Sequence, residues 1–202
     1  MAQHDTPAHS GKAITILKVQ PYEGERIRLE SAGLREGGWL DPVFSAAQDN
    51  ISPPLEWTEV QEAETYALVV EDPDSPMESP FVHWLLWNIP GRTRRLKQGL
   101  APTPHPPDLP GAVQGRNSQG GFGWTGMAPP QGHGTHHYHF QLFALSKALD
   151  FSPDVALETL TNALRGNTIA AGELVGLFET PDHPSPARTG AYGFTTDPPA
   201  LR

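Results

Sequence analysis

Two short apolar runs most constrain what this chain can fold into. Residues 66–70 (YALVV) and 81–89 (FVHWLLWNI) are continuous, short and stopped by proline-punctuated turns, the pattern of strands buried on both faces. Residues 138–145 (YHFQLFAL) give a third central strand. Around them 22 prolines and 20 glycines are spread without a period, which points to many loops joining short strands. Residues 25–30 alternate Ile27 and Leu29 with Arg26 and Arg28, a half-exposed strand. Further strands are predicted at 14–20 and 174–180, the latter after a short helical turn at 169–173, and residues 93–110 read as irregular. One helix is predicted, capped by Ser152, with Pro153 in its first position and Asp154 and Glu158 near its positive end. Leu157, Leu160 and Leu164 share its buried face, and Gly166 ends it. The expected fold is mainly β, an antiparallel β-sandwich of two sheets with one or two peripheral helices. It would span residues 14–180, between a flexible N-terminus (1–13) and a C-terminal tail (181–202). Tyr192 in that tail could fold over a neighbouring pocket, although a solvated tail is the simpler reading.

Charge and composition narrow the function. A formal net charge of −9 argues against a nucleic-acid surface or an anionic-membrane surface. The absence of cysteine excludes disulfides, thiolate metal sites and a cysteine nucleophile. No apolar run is long enough for a spanning helix, and residues 1–13 carry no apolar signal segment, so a cytoplasmic location is the default expectation. No nucleophile elbow, phosphate loop or HExxH motif is present, and nothing calls for a cofactor.

The stretch from Gly115 to Ser146 gathers the remaining chemistry. It is rich in glycine, including Gly132 and Gly134, and stiffened by Pro129 and Pro130. From Leu109 to Leu149 there is no Asp or Glu, although the chain has 23, while His133, His136, His137, His139 and Arg116 all fall there. Clearing a long loop of carboxylates makes room for an anion. If 136–139 is a strand, His136 and Tyr138 share one face, and His137 and His139 the other. The second pair is a candidate for metal, but zinc needs three or four ligands and the spacing supplies two. Asp72-Pro73-Asp74 follows the first buried strand and is either a simple turn or a carboxylate pair that orients an imidazole. His83, beside Trp84 within the second strand, needs a partner to offset its desolvation, and Asp72 or Asp74 is the obvious candidate.

Taken together, DPDSP (72–76), FVHWLLWNIP (81–90) and GRN…GMAPPQGHGTHHYHFQLFALS (115–146) resemble the signatures of phosphatidylethanolamine-binding proteins, in their bacterial and archaeal, Raf kinase inhibitor-like branch. SPPLEW (52–57) and ELVGLFE (173–179) extend the likeness. The resemblance implies a β-sandwich with a small anion pocket at one end. Asp72, His83, Ala128, Pro129, Pro130, His136 and Tyr138 would form that pocket, supported by Asp74, Trp84, Asn117, Gly132 and Gly134. It implies a non-catalytic binding protein whose ligand is phosphate, acetate or a phosphorylated head group, and whose partner could be a kinase or a protease. A homodimer is also open to such a chain. Ala128, where the family usually has another residue before the prolines, and His137, where it usually has arginine, are departures that bear on the ligand. A hydrolase using His83 or His136 as general acid–base is the alternative.

Overall fold

The structure is a computed structural model and describes residues 11–19, 25–35 and 38–181. A six-stranded sheet carries it, in the order β1 (Glu25–Arg26), β9 (Thr168–Phe178), β8 (His136–Leu145), β4 (Thr65–Asp72), β5 (Phe81–Pro90) and β7 (Val113–Gln114). A smaller sheet orders β2 (Leu29–Glu30), β3 (Leu55–Trp57) and β6 (Arg95–Leu96). All pairings are antiparallel except β1 with β9. The fold is the expected β-sandwich, with an outer layer of two helices, α1 (Thr15–Val19) and α2 (Leu157–Asn167).

The continuous apolar runs follow from this layering. Every residue of β4 is buried, because β4 lies between β5 and β8 and both of its faces are covered. Tyr66, Leu68 and Val70 pack toward the small sheet with Trp84, Leu86 and Phe140. Ala67 and Val69 pack on the other face, where Ile16, Val19, Leu160 and Leu164 come down from the helices. In the 25–30 segment Ile27 and Leu29 are buried while Arg26 and Arg28 are exposed, as the alternation predicts. The segment nevertheless splits between two sheets, β1 lying on β9 and β2 on β3.

Four local expectations are corrected. Residues 15–19 are helical: Ile16 and Val19, three apart, share the buried face, and Leu17 is exposed. The exposed amides of that first turn are met from the sheet, with Thr15 N–H donating to Glu71 Oε2 at 2.7 Å and Ile16 N–H to Gln141 Oε1 at 2.6 Å. The second helix begins at Leu157 after Ala156, with no side-chain cap, because residues 152–155 form a turn instead. Gly166 lies inside that helix rather than ending it. Finally β9 starts at Thr168 straight from the helix, so there is no helical turn at 169–173. Residues 1–10 and 182–202, with Tyr192, lie outside the described residues.

Gly172 marks where the parallel edge strand meets β9. A Cβ built there would stand 2.1 Å from the Ile27 carbonyl oxygen. Gly172→Val should therefore push β1 off the sheet and destabilise the protein by about 3 kcal/mol, the upper range for overpacking. Urea unfolding checks this; an unchanged midpoint would contradict the close approach.

Candidate functional site

Where β4 ends and β5 begins, the large sheet opens into a cavity of about 230 Å³. Asp72, His83 and His136 line it with Ala128, Pro129 and Pro130, together with Ser75, Pro76, Met77, Phe81, Gln119 and Gly126. A wider groove of about 640 Å³ lies at the other end of the same strands, but Arg94 in its wall is paired with Glu59.

A β-bulge aims His83. Val70 faces Trp84 across the β4–β5 ladder, yet Glu71 faces Val82, so His83 is an extra residue. The bulge turns His83 and Trp84 to the same side. Both reach Trp124, and His83 also meets the Tyr138 ring edge-on at 5.0 Å. His83 Nδ1 lies 2.6 Å from the Thr125 carbonyl, which can only accept, so this nitrogen carries the hydrogen. Burial pushes the His83 pKa down from 6.5 to about 4, against the opposing pull of that bond and of Asp72. The ring is therefore neutral at pH 7, and its Nε2 presents a lone pair.

Asp72 orients a different imidazole from the one expected. Its Oδ2 accepts from His136 Nδ1 at 2.7 Å, and its Oδ1 accepts the Asp74 backbone N–H at 2.8 Å. His136 Nε2 is 2.7 Å from His133 Nδ1, so one hydrogen is shared between the two rings. Asp72, His136 and His133 thus form a chain from the buried wall to the exposed loop. His136 has a carboxylate on one side and an imidazole on the other, and no hydroxyl is hydrogen-bonded to it.

Its neighbours on β8 follow the same rule. His137 pairs with Asp74 at 2.8 Å, and His139 with Glu173 at 2.8 Å. The acid-free stretch receives its carboxylates from β4, the turn after it and β9. Among the described residues no cluster of three or more His, Asp or Glu is placed to hold a metal. Arg116 points away from the cavity, stacked on Phe122 and paired with Asp154 at 2.6 Å.

The remaining predicted residues support the cavity from behind. Tyr138 lies beneath His83, fully buried, and its hydroxyl has no partner. Burial raises the Tyr138 pKa, helped by Asp72 and Asp74, so the phenol stays protonated. It does not line the cavity. Trp84 is buried with its Nε1–H donating to Gln114 Oε1 at 2.7 Å. Asn117 ties its loop by donating to the Gly123 carbonyl and accepting from Gln119 N–H. Gly132 and Gly134 flank His133 with φ of +73° and +85°, conformations that a side chain would strain.

A model of the phosphatidylethanolamine-binding protein family matches residues 30–179. The chain belongs to that family. It is 38% identical over 157 residues to a UPF0098 protein of Pyrococcus abyssi, covering 77% of this chain and 87% of the relative. A UPF0098 protein of Aquifex aeolicus is 32% identical over 171 residues, covering 84% and 98%. Among solved structures, YbcL of E. coli, described as a member of the mammalian PEBP family, superposes with a TM-score of 0.70 at 30% identity, over 77% of this chain and 99% of that one. A phosphatidylethanolamine-binding protein homologue from Chlamydia trachomatis gives 0.68 at 31%, over 78% and 99%.

Within this phosphatidylethanolamine-binding protein fold, the sequence pointed to the histidine–carboxylate wall but not to Ser75, Met77, Phe81, Gln119 or His133. Phe81 had a usable signal, since two residues before His83 on a strand it shares the same face. His133 was visible only as one of the histidines of the acid-free stretch, because its contact with His136 depends on the turn geometry.

The neutral state of His83 has a thermodynamic consequence. Unfolding restores a pKa near 6.5, so between pH 6.5 and about 4 the unfolded chain binds the extra proton. Stability should fall as pH drops through that window, by about 3 kcal/mol at its foot, from roughly 1.36 kcal/mol per unit. Urea unfolding of the wild type and of His83→Gln at both ends of the window tests this. Equal pH slopes for the two proteins would refute it.

Proposed function

We propose that this protein is a non-catalytic binding protein whose cavity at the β4–β5 end receives one small oxyanion group, a phosphate or a phosphorylated head group. The observation that carries the reading is a preformed cleft of this size lined by Asp72, His83 and His136 together with the apolar Phe81, Pro129 and Pro130. The apolar wall shapes whatever group follows the anion. The paired imidazoles of His136 and His133, backed by Asp72, hold the polar wall in place beside the anion. Docking a phosphorylated segment of a kinase or protease is the regulatory form of the same reading. A pull-down competed by free phosphate separates it from simple head-group binding.

Isothermal titration with inorganic phosphate and O-phosphorylethanolamine tests the proposal directly. Binding should weaken at least about tenfold, or 1.4 kcal/mol, in His136→Ala. No heat from either compound across pH 5 to 8 would overturn it.

A further inference from the structure

The chemistry of the cavity wall specifies the ligand more narrowly than its size does, and this step rests on the oxyanion reading above. We infer that the pocket takes its oxyanion in a protonated form, an oxyacid group that keeps one hydroxyl and donates it to His83 Nε2.

The geometry leaves His83 a single role. Its Nδ1–H is used by the Thr125 carbonyl, and the ring lines the cavity with no donor on Nε2 among the described residues. An imidazole held in this tautomer can only accept, and a fully ionised oxyanion has nothing to give it. A bare anion placed against that lone pair meets repulsion, whereas a P–OH or C–OH group meets an acceptor.

The charges around His83 point the same way. Among the described residues no lysine or arginine lines the cavity, and Lys12 near its rim donates to the Ser75 backbone carbonyl. The ionisable groups near His83 are Asp72 on β4 and His136 and Tyr138 on β8, with His133 one ring further out. Asp72 is the acid of the wall, and Tyr138 remains a phenol. Both nitrogens of His136 are already engaged, by Asp72 and by His133. The Gln119 side chain and the Ser75 hydroxyl, the latter buried without a partner, can serve the other ligand oxygens as neutral donors. A cleft whose described lining offers neutral donors, one lone pair and no lysine or arginine side chain is poorly matched to a dianion. It is well matched to a monoanion that still carries a hydrogen.

The test compares three probes by titration calorimetry on the full chain: methyl phosphate, methylphosphonate and dimethyl phosphate. At pH near 5.5 the first two are monoanions with a hydroxyl, since a phosphate monoester loses its second proton at about pH 6. Dimethyl phosphate has the same charge and no hydroxyl. Methyl phosphate should bind at least about tenfold tighter than dimethyl phosphate there, the discrimination expected when a buried polar group is left unpaired. As pH rises, methyl phosphate should weaken about tenfold per unit, the slope for uptake of one proton, while methylphosphonate, whose last proton leaves later, holds its affinity to higher pH. His83→Phe, an aromatic replacement among the rings of Phe81, Trp124 and Tyr138, should bring methyl and dimethyl phosphate to equal affinity. Nitrogen NMR of the wild type should show His83 Nε2 moving from a bare lone pair to a hydrogen-bonded acceptor with methyl phosphate. Equal binding of the mono- and diester, or pH profiles that superimpose for the two ionisable probes, would overturn this inference and leave the oxyanion pocket standing. Failure of all three probes at every pH, with His83 unmoved, would overturn both.

Discussion

Two adjacent carboxylates at the end of β4 set the terms for both faces of the large sheet. Glu71 and Asp72 follow a strand that is buried throughout, and each is nearly or wholly excluded from water. A buried carboxylate without donors costs several kcal/mol, so each must be met from its own side. Glu71 is met by the Thr15 amide and by Gln141, and α1 is thereby seated on the outer face. Asp72 is met by His136 and by the Asp74 amide, and the pocket wall is thereby assembled on the inner face. The period-two alternation of a strand converts one dipeptide into both the anchor of the helical layer and the backing of the site.

The fold was largely legible because the doubly covered strands leave an apolar signature that no short helix shares. Where the sequence misled, a tertiary contact had displaced a local rule. Residues 14–20 alternate like a strand, but donors at their start find acceptors on Glu71 and Gln141, far along the chain, and the turn becomes helical. Ser152 and Pro153 look like a helix start, yet the helix begins later, at Leu157. The site was legible by residue type and not by pairing. Asp72 and His83 were both recognisable as pocket residues, but their connection was not, since the bulge at His83 sends its Nδ1 to Thr125 and leaves Asp72 to His136. Local periodicity cannot show an inserted residue in a ladder, and it cannot show which carboxylate a histidine will meet across two strands.

The cavity and its surroundings are unusual for a place that would hold charge, because the ionisable groups there are already paired within the protein. His136, His137 and His139 each have a carboxylate from another segment, and Arg116 is committed to Asp154. What faces inward is a set of dipoles and lone pairs held by proline, glycine and aromatic packing. On the proposed reading, such a surface would recognise a ligand by where its hydrogens sit more than by its total charge.

The seating of α1 also bears on how the chain is made. Its two capping partners lie 56 and 125 residues further along, and Lys18 accepts a bond from Arg165, 147 residues away. During synthesis α1 therefore cannot be fully seated until Gln141 and Arg165 have been made. Until then Ile14, Ile16 and Val19 lack their full cover, and the nascent protein carries an apolar segment that a chaperone or a neighbouring copy can reach. The long-range partners that later bury this segment are what delay its seating.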